Sequence, residues 1–346
     1  CPHTTHPRRD HYIPDNGSCA LIHTITKGGY VVKSCFFLHV RNFFSIMYEK
    51  KQSELLDGTL FCSSVHGGLR LQKQKTLASR VVYDGIGLHS GQPVHMELAP
   101  APPGSGILFA RADMPDAPPV AATAAHVTAT MRATTIGAGA LKFFTIEHLM
   151  SALHVHGIDN CRVTLDAEEP PVADGSARAF FALIARAGSV EQDAVRQETV
   201  IDRVYRADDG SHFVMALPYD GLRVSFTSLN EHPLIGVQYY DIEVTPAAYE
   251  REIAPARTIA YEKEIAALRA HGLGLGGSLE TVIVYNDEGW MNPLNFPNEL
   301  VRHKILDVIG DIRLAGMVRG HIIAVASGHA LNTALAKEIA GERDQA

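Results

Sequence analysis

The chain has 346 residues, with 46% hydrophobic residues, 20% charged residues and a net charge of −7. At roughly 100–200 residues per domain this allows about two domains with a large apolar core and no need of disulfide staples. The negative balance argues against nucleic acid as a general partner, although a local Lys and Arg cluster can still hold an anionic small molecule.

Charge and cysteine are unevenly spread. Residues 1–70 carry eight Lys and Arg against five Asp and Glu, leaving 23 against 33 for residues 71–346. Cys1, Cys19, Cys35 and Cys62 fall in that first stretch, and only Cys161 lies beyond it. No Cys-x-x-Cys pair is present, so neither a zinc knuckle nor a thioredoxin-like centre is indicated. A body with one cysteine fits a reducing cytosol. The apolar run from Tyr30 to Tyr48 is interrupted by Lys33, His39 and Arg41. It is too short and too charged for a stable membrane span, and it lacks the small-residue cleavage site of a signal peptide. Residues 1–70 are expected to be a poorly ordered, non-catalytic amino-terminal extension.

Order is expected from about Leu71. Val81-Val82-Tyr83, the glycine-rich turn Asp84 to Gly91 and the alternating Val94-His95-Met96-Glu97-Leu98 read as a β-hairpin. Short strands separated by Pro- and Gly-rich turns follow over 107–146. The first clear helix is expected over 145–154, stopped by Gly157-Ile158-Asp159-Asn160, with a strand over 161–165. A second helix is expected over 177–187, with Asp174 or Ser176 as its N-cap. The polar stretch 192–197 reads as a bridge between domains. Beyond it come strands to about Val244, helices over 246–253 and 262–271, and a glycine loop. A strand over 281–285, a helix over 299–316, a strand over 321–326 and a helix over 330–339 complete the chain. Strands and helices mix without strict βαβ alternation, which predicts an α+β fold.

Chemistry concentrates on the helix around Val301 to Asp311. Val301, Ile305, Leu306 and Ile309 make its apolar stripe, while His303, Asp307 and Asp311 recur every fourth residue on one face. An imidazole and a carboxylate one turn apart can grip a divalent metal. His148, in Thr145-Ile146-Glu147-His148-Leu149, is the best third ligand. Two histidines and a carboxylate with an open fourth position suit hydrolytic zinc, with Glu147 as general base. His329, in Ser327-Gly328-His329-Ala330-Leu331-Asn332, follows a strand and is a candidate general acid or charge stabiliser. Gly272 to Gly277 fits G-x-G-x-x-G, but a helix precedes it and a β-rich run follows, the reverse of a dinucleotide site. A tight turn or a backbone approach to ligand at Gly274 is expected instead. His154-x-His156 is expected to be ordinarily solvated at its helix end.

Over residues 71–340 the chain resembles the UDP-3-O-acyl-N-acetylglucosamine deacetylases, zinc amidases of lipid A biosynthesis. The likeness runs through Lys75-Thr76-Leu77, Gly85 to Gly91, Thr145 to Leu149, Gly157 to Asn160 and Asp174-Gly175-Ser176-Ala177. It continues through Ala256-Arg257-Thr258, Gly272 to Ser278, Val301 to Asp311 and Ser327 to Asn332. The resemblance implies Zn2+ on His148, His303 and Asp307, Glu147 as base, His329 as acid oriented by Asp311, and Thr258 at the oxyanion. It implies substrate contacts from Lys304, with His89, Ile259 and Gly274 as further substrate-site candidates. It also implies two similar α+β domains, each a mainly antiparallel sheet covered by helices, over 71–192 and 198–340. The site lies between them, and an acyl-chain insert falls near 257–290. The implied protein is a cytoplasmic monomer acting on a small acylated UDP-amino sugar.

Two residues depart from the family pattern, Ile259 where Phe is frequent and Ala326 where a basic residue is common. They leave open a zinc amidase for another acylated sugar. An inactive binding protein is a further alternative, but its mark would be a lost ligand or base, and all are present.

Overall fold

The computed structural model describes residues 72–343. The expected extension over 1–70 and its apolar run lie outside the described residues.

Alternation builds the first half. In the strand Pro93–Pro100, Val94, Met96 and Leu98 are buried while His95 is exposed, the pattern of a sheet with one face on a core. The strands of this half are β1 (Lys73–Leu77), β2 (Val81–Ile86), β3 (Pro93–Pro100), β4 (Ile107–Arg111) and β5 (Val120–Ala121). The meander β6 (Val127–Ala129), β7 (Thr135–Ala138) and β8 (Leu141–Phe143) leads into helix α1 (Glu147–Val155). Strand β9 (Cys161–Leu165), helix α2 (Arg178–Ala187) and strand β10 (Ser189–Val195) follow. The second half has β11 (Glu198–Val200), β12 (Tyr205–Asp208), β13 (Phe213–Leu217), β14 (Leu222–Leu229), β15 (Val237–Glu243) and α3 (Pro246–Glu252). An insert of β16 (Ile259–Tyr261), α4 (Glu262–Ala270) and β17 (Ile283–Tyr285) precedes α5 (Glu299–Ile312), β18 (Met317–Val325) and α6 (His329–Arg343).

Two sheets dominate, ordered β2-β3-β9-β4-β5 and β12-β13-β18-β14-β15. Numbered within its own half, each runs first, second, fifth, third, fourth. Along each path the fifth strand pairs parallel with the third, β9 with β4 and β18 with β14, and the other neighbours are antiparallel. The halves are therefore repeats of one α+β plan. In each, a helix immediately precedes the fifth strand, α1 in the first half and α5, after α3 and the insert, in the second.

These equivalent helices pack on each other, and their apolar residues join the two halves in one continuous core. α1 is buried from Glu147 to His154, as a helix enclosed on all sides must be. A Cβ added at Gly310 of α5 would lie 2.0 Å from the carbonyl oxygen of Glu147, so this glycine is what lets the backbones approach so closely.

The insert is fastened where α5 begins. The buried Glu299 carboxylate accepts the Arg257 backbone N–H (3.0 Å), the Arg257 guanidinium (3.0 Å) and the Asn295 N–H (2.5 Å). Both ends of the insert thus converge on the first turn of that helix.

Several expectations need correction. The polar stretch 192–197 is not a free bridge, because β10 pairs antiparallel with β1 up to Val195. Of the two expected caps of α2, Ser176 serves, its hydroxyl oxygen accepting the Arg178 N–H at 3.1 Å one residue before the boundary at Ala177, while Asp174 accepts from the backbone and hydroxyl of Ser176 instead of from the helix. The strand expected over 281–285 shortens to Ile283–Tyr285, because Thr281 and Val282 hydrogen-bond back to Ser278. His154 is buried rather than solvated, enclosed with the rest of α1, and His156 bonds the Phe181 carbonyl.

Candidate active site

The crossing of α1 and α5 gathers the candidate ligands. His148, in the first turn of α1, meets His303 and Asp307, one turn apart on α5. One ligand atom from each lies within 4.8 Å of the others, and the three residues are 5%, 3% and 2% exposed. The Nε2 atoms of His148 and His303 lie 3.8 Å and 3.4 Å from Asp307 Oδ1. His303 Nδ1 donates to the Ala256 carbonyl at 3.0 Å, which fixes the tautomer and leaves Nε2 unprotonated toward the cluster.

Electrostatics favour ligation. Burial and then His303 push His148 down to about 3, so its imidazole is neutral at physiological pH. His303 is also lowered, chiefly by burial. Burial works against the charge of Asp307, yet His303 and Lys304 outweigh it and hold the carboxyl well below the usual carboxylate range. Lys304 Nζ binds Asp307 Oδ2 at 2.9 Å, whereas Oδ1 is buried with no hydrogen-bond partner. A buried carboxylate oxygen left bare is costly unless something else meets it. Two neutral imidazoles and that oxygen make an N,N,O donor set that fits a divalent metal such as zinc.

Beside the cluster, Glu147 accepts the Thr134 N–H at 3.1 Å, and burial raises its carboxyl to about 7. His329, at the start of α6, places Nε2 3.9 Å from Glu147 Oε1 and donates through Nδ1 to Asp311 Oδ2 at 2.9 Å. Burial disfavours the imidazolium, but Asp311 and Glu147 overcome it and push His329 up to about 10. Asp311, fully buried, also accepts the Thr134 hydroxyl at 2.5 Å and the Asn332 amide at 2.9 Å. A near-neutral carboxyl facing a protonated imidazole is an acid–base pair with separated roles.

The pair opens into a cavity of 530 Å³. Glu147, His148, His303, Asp307 and His329 stand at one part of it, and Ile259, Ile265, Leu268, Leu279, Val282 and Met291, mostly from the insert, supply an apolar part.

A family profile described as UDP-3-O-acyl N-acetylglycosamine deacetylase, LpxC, matches residues 74–341. This chain belongs to that family. Among curated relatives named UDP-3-O-acyl-N-acetylglucosamine deacetylase, that of Anaeromyxobacter dehalogenans is 44% identical over 269 residues, 77% of this chain and 87% of the relative. That of Myxococcus xanthus is also 44% identical, over 77% of this chain and 86% of its own length. The protein of Acidithiobacillus ferrooxidans is 41% identical over 277 residues, 79% and 91% of the two chains.

In this member of the deacetylase family, Thr258, Ile259, Lys304, His89 and Gly274 all line the cavity with the ligand cluster, Glu147 and His329. Asp311, one turn beyond Asp307 on α5, stands outside the three-residue cluster and pairs with His329 instead. His89 Nδ1 accepts the Gly274 N–H at 3.2 Å, so the ring proton sits on Nε2, and burial lowers its pKa further. Ala326 adopts φ 50° and donates its N–H to the Thr227 carbonyl, setting the turn before His329.

Sequence reading missed Thr134 and Glu169. Thr134 serves Glu147 through its backbone N–H, which no side-chain pattern encodes. Glu169 sits in a Glu-Glu-Pro-Pro run that reads as an ordinary loop. Gly310 was legible in principle, since a glycine inside an apolar helical pattern costs about 1 kcal/mol against alanine and signals a close approach.

Proposed function

We propose that this chain hydrolyses the N-acetyl group of UDP-3-O-acyl-N-acetylglucosamine, giving acetate and the free amine, a step of lipid A biosynthesis. The single observation that carries this reading is the bare, buried Asp307 Oδ1 facing two neutral imidazoles within reach of a Glu147–His329 pair.

His148, His303 and Asp307 would hold zinc. When bound, zinc supplies Lewis acidity, polarising a carbonyl and promoting ionisation of water near neutral pH. Glu147, half ionised near pH 7, takes the proton of the attacking water. His329, kept charged by Asp311, delivers a proton to the departing nitrogen, because an amide anion is not a viable leaving group. Thr258, on the cavity wall, donates to the developing oxyanion. Lys304 and His89 bind polar parts of the substrate, Gly274 holds His89 by its backbone, and Ile259 joins the apolar wall that receives the acyl chain.

The halves take the domain limits 71–192 and 198–340, with the acyl-chain insert over 257–290. The site is complete within one chain, which suits a monomer. Cys161 is free and buried, and no helix among the described residues is long and apolar enough to cross a membrane. The unpaired thiol supports a cytoplasmic setting for a nucleotide-sugar substrate.

The test is acetate release from UDP-3-O-acyl-N-acetylglucosamine by the full chain, before and after metal stripping. Activity is expected to vanish on stripping and return with zinc. Glu147→Gln should lower kcat by about 10²–10⁴ while retaining zinc. Folded, zinc-loaded protein that releases no acetate would overturn the reading.

A further inference from the structure

One carboxylate outside the proposed chemistry joins two walls of the cavity. Glu169 is 1% exposed. Its oxygens accept the backbone N–H of His89 (3.0 and 3.1 Å), the backbone N–H of Ser90 (2.9 Å) and the Ser90 hydroxyl (2.9 Å). From a different segment, the Thr145 hydroxyl donates to it at 2.9 Å. The turn wraps the carboxylate so tightly that a Cβ at Gly87 would fall 2.4 Å from Glu169 Oε2.

Each partner leads to a different part of the site. His89 lines the cavity, accepts the Gly274 N–H through its ring, and receives the Leu275 N–H at its own carbonyl. The turn held by Glu169 therefore docks the glycine loop of the insert. Thr145 stands two residues before Glu147, with φ at 58°. A β-branched residue in the left-handed region is a genuine outlier and persists only where its surroundings impose it. The helix it launches has Ile146 as N-cap with no side-chain cap bond, so an ordinary cap does not set its direction. The Thr145–Glu169 bond is the side-chain tie formed one residue before that N-cap.

We propose that Glu169 is a positioning residue for the deacetylation. Through His89 and Ser90 it fixes the substrate wall, and through Thr145 it fixes the entry of the helix bearing Glu147 and His148. The role rests on the deacetylase reading for its kinetic consequence, and the strain at Thr145 gives a test that separates positioning from mere stability. Glycine adopts this φ freely, so Thr145→Gly removes the hydroxyl while relieving strain.

The full chain would be compared with Thr145→Gly, Thr145→Ser and Glu169→Gln. The measurements are the thermal midpoint, zinc affinity, and kcat and KM at saturating zinc. Thr145→Gly is expected to keep or raise the midpoint, yet to lose about tenfold or more in kcat, since small misplacements of reacting groups are costly. Its zinc affinity should fall about tenfold, as losses of outer-shell support do. Thr145→Ser, which keeps the hydroxyl, should restore both. Glu169→Gln should raise KM as well, because the His89–Ser90 turn loses a charged acceptor. Unchanged zinc affinity and kcat in Thr145→Gly would overturn the proposal, as would losses that only track a lowered midpoint. If the wild type released no acetate while the zinc affinities followed the expected order, the deacetylase reading would fail and the positioning role would stand.

Discussion

Glu147 and His329 differ in what burial does to them, and that difference sets the pH response. Activity needs Glu147 ionised and His329 protonated. A bell-shaped kcat/KM profile is therefore expected, with limbs at or below about 7 and about 10, because a bound cation moves both to lower pH. His329→Ala should erase the basic limb. Stability has its own sign. The folded pKa of His329 is raised from 6.5 to about 10, so its contribution is present below pH 6.5 and lost as pH rises through 10. Metal-stripped wild type should lose stability to denaturant over that window more steeply than His329→Gln does. Much of this constellation was readable in advance. The spacing of His303 and Asp307 encodes a helix face, and Glu147-His148 sits in a family motif. The pairing of Asp311 with His329 was expected from the resemblance, whereas the capture of its carboxylate by Thr134 and Asn332 is a long-range event that no local pattern encodes.

Helices α1 and α5 work as a crossed pair whose contact point is Gly310. Gly310→Ala would gain helix propensity of about 1 kcal/mol. Its methyl, however, would collide with the Glu147 backbone at 2.0 Å. Backbone cannot swing aside as a side-chain tip can, so overpacking of about 1–3 kcal/mol should win. The variant is expected to melt lower and to bind zinc more weakly, because separating the helices moves His148 away from His303 and Asp307. A variant as stable and as zinc-avid as wild type would show that the crossing tolerates expansion. At this scale the sequence was informative about the existence of elements and less so about their ends. The alternating Val94, Met96 and Leu98 announced a strand. The pairing of β10 with β1 was hidden, because a polar strand far from its partner reads as linker.

Across the whole molecule, the ligand set takes His148 from one half and His303 with Asp307 from the other. Zinc should therefore couple the halves: at 100 times its dissociation constant it should add about 2.7 kcal/mol to unfolding, with one cooperative transition. Calorimetry with increasing zinc checks this, and the gain should be lost in His303→Ala. The fold class was legible because both halves mix strands and helices without βαβ alternation. Their identical strand order was not, since it is written in long-range pairing rather than in local pattern. That order has a genealogical consequence. Two copies of one ancestral unit, joined in tandem, would have met through like helices and offered like faces to each other. Base and histidine stand on one half, histidine and aspartate on the other, so neither unit carries the constellation alone. Fragments severed between Arg196 and Gln197 should each be inert, and activity should return only when the two are reunited.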